Sequence, residues 1–426
     1  MTALILFGVF ALLVIINIPI AISLGAASII AIIVTDSVPL QVIAQRTFTA
    51  LDNFPLMAIP FFMIAGSVME RGGISRRLID FANSIVGVFS GGLALVTILA
   101  SMFFAAISGS APATVAAIGG IMIPAMVSQR YREDYATATQ ASAGYIGVII
   151  PPSIPMITYG VVTGASIGGL FLAGFIPGML IGLTLCAVAY FTAKKEGYRG
   201  TAEKVSISNV GKAFTNAFFA ILMPVIILGG IYGGIFTPTE AANIAVVYGL
   251  VVGFFIYKEL KLSDFPKILK QSAINTSLIM FIIATASTFG LILTRENIPS
   301  DIARLIISFT DNPIVLLMLI NVLLLIVGTF METNAAIIII APILFPVILE
   351  LGIDPIHFGI IMVVNLAIGM ITPPLGVNLF VAASMRKMPI EKLIKANWGY
   401  LAASIVILII ITYFPQLSLW LPNLLK

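Results

Sequence analysis

The chain has 426 residues, 60% of them hydrophobic and only 9% charged, with a formal net charge of +4. That composition excludes a soluble globular protein, and in such a chain the side on which each basic residue falls carries more information than the sum. A single cysteine, Cys186, excludes an internal disulfide and any cysteine-based metal site.

Charge-free runs at 1–35, 81–129, 135–193 and 396–425 are each long enough for a bilayer crossing of about 20 residues. The first run is not a cleavable signal peptide, because the first basic residue is Arg46 and the apolar stretch is too long. In chain order the first half offers crossings at 3–18, 19–35, 50–70, 138–162 and 166–192. The second offers 213–234, 239–257, 273–294, 358–382 and 396–420. Between these lie 91–127 and 313–348, each two short apolar segments around a polar tip, "SGSAPAT" (Ser108–Thr114) and "METNAA" (Met331–Ala336). Half-length segments around a polar tip predict re-entrant hairpins, which persist at membrane depth only where protein or water lines them. Each hairpin follows a segment with charges at its start, 75–89 and 299–309, which reads as an interfacial amphipathic helix.

A shift of 222 residues aligns Ile107–Gly160 with Thr329–Ala382 without a gap. Pro124 then meets Pro346, Gly147 meets Gly369, and Pro151-Pro152 meets Pro373-Pro374. The order of elements repeats as well, so residues 1–200 and 213–426 read as two structural repeats joined by a solvated linker at 201–212. With the loop at 193–212 on the cytoplasmic side, ten crossings and two non-crossing hairpins place 18 Lys and Arg residues in the cytoplasm and 4 outside, of 22 in all; this is the asymmetry expected of membrane loops. Five crossings per half is an odd number, so the repeats are inverted and both termini are expected on the periplasmic side. The predicted fold is an all-α polytopic membrane protein with about ten transmembrane helices and two re-entrant hairpins.

Each Pro-Pro pair interrupts an apolar helix, at a cost of about 3 kcal/mol or more per interior proline. Inverted repeats with discontinuous helices are the pattern of secondary transporters, and the breaks point to the binding site. Opened carbonyls suit a small hard cation, and a helix N-terminus suits a carboxylate. Ser108, Ser110, Thr114, Ser153, Thr158 and Tyr159 surround the first break. Thr329, Glu332, Thr333, Asn334, Thr372 and Asn378 surround the second. Neutral oxygens with one carboxylate favour Na⁺ over a transition metal. Individually, Ser, Thr and Gly in such helices more often serve only close packing. Glu332 is either a functional intramembrane acid or an acid bonded within its own hairpin. Glu240 reads as a helix-start acid, and His357 as a surface residue at a loop-to-helix junction. A serine hydrolase would need that lone histidine beside Ser108 or Ser110, where the repeat map does not put it; no enzyme is expected.

"FMIAGSVMERGGISRRL", "SGSAPATVAAIGGIMIPAM", "IPPSIPMITYG", "TPTEAAN" and "GMITPPLGVNLF" together resemble the large membrane subunit of tripartite ATP-independent periplasmic (TRAP) transporters, over essentially the whole chain. The resemblance implies an elevator-type, ion-transporter-like fold in the bacterial inner membrane. Its scaffold helices would lie at 1–70 and 213–294, its arms at 75–89 and 299–309. It also implies Na⁺-driven uptake of an organic acid such as sialic acid or a C4-dicarboxylate. The implied partners are a small four-helix membrane subunit and a periplasmic substrate-binding protein. Carried onto this sequence, the family's first sodium site falls at Ser108, Gly109 and Ser110 with Gly147 and Pro151 of the break. The second falls at Thr329, Glu332 and Asn334 with Thr372, Pro373 and Gly376. Substrate is expected near Ser110, Thr158, Asn334 and Asn378. A stand-alone dicarboxylate or citrate carrier, with no binding protein, is the rival within the transporter class.

Overall fold

The computed structural model describes residues 2–36, 38–200, 206–309 and 312–425, without the side chains of 303 and 305–309. Residues 201–205 of the expected linker and Lys426, counted among the periplasmic charges, lie outside the described residues. All the regular structure described is helical. Among the described residues, nine helices are long and apolar enough to cross a membrane, and five shorter apolar helices accompany them.

The first repeat opens with α1 (Thr2–Ile15), α2 (Ile20–Thr35), α3 (Gln41–Thr49) and α4 (Ala58–Arg71). The crossing expected at 50–70 therefore starts later, through a 3₁₀ turn at Phe54–Met57. Asn53 is extended (φ −135°, ψ 117°) and Pro55 follows in the first turn, so the helix cannot run back through "LDNFP". The arm α5 (Ile74–Val86) buries Ile74, Leu78, Ile79 and Ala82 on one face. The hairpin follows as α6 (Gly92–Ser108) and α7 (Ala111–Ser128), then α8 (Glu133–Gly144), α9 (Ile154–Thr163) and α10 (Ile167–Glu196).

The second repeat runs α11 (Ile207–Tyr232), α12 (Pro238–Val251), α13 (Phe265–Arg295) and the arm α14 (Ile298–Phe309). Here α13 is continuous over 31 residues, because its proline sits in the first turn, where a missing N–H costs nothing. Glu240 and Thr237 form a reciprocal capping box that starts α12, as its place after "TPT" suggests. The second hairpin is α15 (Pro313–Phe330) and α16 (Thr333–Glu350), followed by α17 (Pro355–Gly369) and α18 (Val377–Arg386). The last crossing, expected at 396–420, is instead α19 (Ile390–Tyr413) with a separate α20 (Gln416–Leu424). Pro415 divides them by forcing Phe414 out of helical geometry (φ −119°, ψ 79°).

Packing sorts these helices into two groups. In one, α4 lies against α12 and α13, and α13 against α2. In the other, the hairpins lie among the broken helices: α7 against α8 and α18, α16 against α9, and α15 against α17. Three buried hydrogen bonds fasten α8 and the 3₁₀ turn after it to α19, Thr139 to Tyr400 (2.8 Å), Ser142 to Asn397 (2.6 Å) and Tyr145 to Ser404 (2.7 Å). Polar pairs of this kind fix the register of apolar helices that hydrophobic contact alone leaves free to slide.

Helix ends also meet in a consistent way. Arg71 pairs with Asp264, Arg77 with Glu259, Arg132 with Glu196 and Arg386 with Glu133. The Arg132 guanidinium holds the Asp134 carboxyl below its ordinary range. At the opposite ends Tyr159 donates to the Pro355 carbonyl and Tyr413 to that of Ile314. His357 is not a surface residue: it is buried, with Nε2 3.2 Å from the Thr412 carbonyl. Asp354 caps α17, which turns the first helical turn, and His357 with it, inward against α19.

Candidate functional site

Both breaks are built alike. Each Pro-Pro bond is cis, and each break leaves a non-helical stretch facing the tip of the hairpin from its own repeat. At the first, α6 ends on Gly109 in the left-handed region (φ 60°), Ser110 is extended, and Pro112 lies in the first turn of α7. The Ile154 N–H donates to the Gly109 carbonyl (3.3 Å). Thr114 Oγ1 donates to the Ser110 carbonyl (2.8 Å) and lies 3.1 Å from Ser108 Oγ. At the second, the Gly376 N–H donates to the Thr329 carbonyl (3.3 Å). Gly376 is also left-handed (φ 60°), a conformation that glycine takes without steric penalty.

Two repeat-related glycines let the backbones approach. A Cβ on Gly147 would lie 2.7 Å from the Ser110 carbonyl oxygen, and one on Gly369 would lie 2.5 Å from Gly328 Cα. Pro151 and Pro373 shape the breaks. Thr372 Oγ1 bonds back to its own helix at Ile368 (2.8 Å), as Thr329 does to Ile326 (2.7 Å). The donor set at each tip is thus hydroxyl and main-chain oxygen, which fits a small hard cation.

Glu332 caps α16: its carboxylate accepts from the Asn334 N–H (2.9 Å), the Ala335 N–H (3.2 Å) and Asn334 Nδ2 (2.8 Å). Ser110 occupies the matching position, 222 residues earlier, without a side-chain cap bond. Asn334 Oδ1 in turn accepts from Thr158 Oγ1 (2.9 Å). The acid is therefore bonded within its own hairpin and fixes the orientation of Asn334.

A cavity of about 630 Å³ separates α2, α4 and α13 from the two tips. Ser110, Glu332 and Asn334 line it from the tips, and Gly109 and Met370 lie beside them. Thr158 stands behind Asn334 rather than on the wall, and buried Asn378 points Nδ2 at the Ala141 carbonyl (3.3 Å). Sequence reasoning missed the opposite wall: Ser67 and Glu70 on α4, Gln271 and Asn275 on α13. Their signal was present as polar pairs at helical spacing, 67 with 70 and 271 with 275, on largely apolar crossings. Among the described residues, no Arg, Lys or His lines this cavity.

An all-helical multi-pass protein, with paired broken helices and hairpin tips facing one shared cavity, defines a membrane transport protein. Residues 7–417 match the family described as "Tripartite ATP-independent periplasmic transporter, DctM component". The chain belongs to this family of TRAP large membrane subunits. It is 46% identical to the C4-dicarboxylate TRAP transporter large permease protein DctM of Pseudomonas aeruginosa, over 94% of each chain. It is 40% identical to the sialic acid TRAP transporter large permease protein SiaM of Vibrio cholerae, over 95% of each. Identity reaches 49% with the isethionate TRAP transporter permease protein DctMQ of Oleidesulfovibrio alaskensis, over 98% of this chain but only 66% of that one. Among solved structures, the YdaH transporter of Alcanivorax borkumensis shares the fold, with a TM-score of 0.64 at 16% identity over 90% of this chain and 89% of the other. These relatives are transporter permeases, not enzymes.

Proposed function

We propose that this chain is the large transmembrane subunit of a Na⁺-coupled TRAP transporter in the bacterial inner membrane. It imports an organic acid that a periplasmic binding protein delivers, and it works beside a small four-helix membrane subunit. The observation that carries this reading is the cavity between the scaffold helices and the two hairpin tips, with an oxygen-lined break behind each tip. Na⁺ is held by Ser108, Gly109 and Ser110 with the 146–152 break, and by Thr329 with the 372–376 break. Glu332 acts by positioning Asn334. With no basic side chain on the wall, the substrate carboxylate is met by helix N-termini and by the charge of bound Na⁺. The hairpins and broken helices move as one body against α2, α4 and α13, in the manner of an elevator. The relatives named for isethionate, C4-dicarboxylates and sialic acid support an organic anion as substrate.

The test is co-reconstitution with the small subunit and binding protein, measuring uptake of these three acids with and without a sodium gradient. Gradient-dependent uptake that needs the binding protein is expected. Uptake indifferent to sodium would remove the coupling, and uptake without the binding protein would point to a stand-alone carrier.

A further inference from the structure

A side chamber of about 40 Å³ opens where α4 meets the tip of the first hairpin. It has room for a single small ion or water. Five polar residues converge on it: Ser67, Glu70 and Asn275 from the scaffold wall, Ser108 and Ser110 from the hairpin. The two bodies touch here because Gly66 carries no side chain; a Cβ on it would lie 3.4 Å from Ser108 Cα. Among the described residues the Glu70 carboxylate has no ion pair or hydrogen bond, and its neighbour Arg71 is directed at Asp264 (3.9 Å).

We propose that this chamber is a transient binding site for Na⁺, a way-station between the first tip and the open side of the cavity; the proposal rests on the sodium-coupled reading above. Glu70 is exposed and lines both the chamber and the wider cavity, so its carboxylate concentrates cations where the two spaces meet. One carboxylate with hydroxyl and amide oxygens suits a monovalent hard ion, whereas divalent sites recruit more carboxylates. Its oxygens are divided between two packing groups, so the site is complete only while Ser67 and Glu70 face Ser108 and Ser110. A cation bound there stabilises this arrangement over any other, in proportion to its differential affinity. Sodium on the side of Arg71, cytoplasmic by the charge distribution, then holds the transporter in this state and slows turnover.

The experiment uses the complete transporter in proteoliposomes, with external sodium fixed, internal sodium varied, and the binding protein supplied outside so that only correctly oriented molecules count. Internal sodium should inhibit uptake. In Glu70→Gln the half-inhibiting concentration should rise about tenfold or more, since an interaction with a charged group is worth about 1.5–3 kcal/mol. Asn275→Ala should move it the same way and serves as the test if Glu70→Gln does not assemble. An unchanged half-inhibiting concentration overturns the proposal, as does a wild type driven by external sodium yet insensitive to internal sodium. A shift in pH dependence alone makes Glu70 a proton site and overturns it too. A wild type indifferent to external sodium refutes the coupling reading instead.

Discussion

Thr158 donates a 2.9 Å hydrogen bond to Asn334 Oδ1, across 176 residues of sequence and from one repeat to the other. Through it the far half of the first broken helix steadies the tip of the second hairpin, whose Asn334 amide is also anchored on Glu332 (2.8 Å). Thr158→Val removes the donor and leaves a buried amide oxygen unpaired, a loss of about 1–3 kcal/mol. The variant should melt earlier and need more sodium for half-maximal uptake, while Thr158→Ser should resemble wild type. Equal sodium dependence in Thr158→Val and wild type would show that the bond does not serve the site.

Glu332→Gln tests whether this acid positions or ligates. Glutamine keeps an oxygen for the α16 amides, so a capping role limits the loss to a fraction of the 0.5–2 kcal/mol or so that full removal of a cap costs. Glu332→Ala should therefore be clearly worse than Glu332→Gln in both melting and sodium-dependent uptake. Equal defects in the two variants would make the charge itself the requirement and return Glu332 to the ligand set.

The glycine approaches make a stability prediction. In Gly369→Ala the new methyl meets the backbone of Gly328 at 2.4–2.7 Å, and in Gly147→Ala it meets Thr114 Oγ1 and the Ser110 carbonyl at 2.5 and 2.7 Å. Each should lose about 1–3 kcal/mol by overpacking, with Gly369→Ala the worse because all its close contacts are backbone, whereas the nearest atom to Gly147 is a side-chain hydroxyl that can turn. Gly229→Ala, with nothing within 4 Å of its Cβ, should be neutral or slightly stabilising, since alanine is the better helix former. Thermal unfolding in detergent ranks the three variants; a Gly369→Ala protein as stable as Gly229→Ala contradicts the packing at that break.

Gly66 and Ser108 offer a test of relative motion. A Cβ on Gly66 would sit 3.8 Å from that of Ser108, within the separation of about 3.5–4.5 Å that a disulfide spans. With Cys186 replaced by alanine, a Gly66→Cys/Ser108→Cys pair should cross-link under oxidation and stop uptake, and reduction should restore the rate of the reduced double variant. A pair joining α8 and α19, Ser142→Cys with Asn397→Cys, should leave transport running when cross-linked, because those helices travel together. Transport that continues with Gly66 and Ser108 joined would refute sliding at this contact.

Much of the fold was legible because it is written in local signals. Pro-Pro pairs and polar tips marked the helix interruptions at 109–110, 331–332, 145–153 and 370–376 to within a few residues. Two prolines set boundaries that apolar run length alone does not show: Pro55 delays α4, and Pro415 divides the last crossing. His357 was misplaced for a different reason. Its neighbourhood reads as a junction, and only the packing of α17 against α19 turns the ring inward.

By itself the sequence determined the class of protein and the positions of its backbone breaks. Those depend on missing N–H groups, apolar run lengths and basic-residue placement, all properties of neighbouring residues. The tertiary structure alone decided which groups face one another. It put Ser67, Glu70, Gln271 and Asn275 across a cavity from the tips, committed the Glu332 carboxylate to α16, and tied Thr158 to Asn334. Such pairings depend on how helices from opposite repeats pack, and no spacing along one helix encodes its partner.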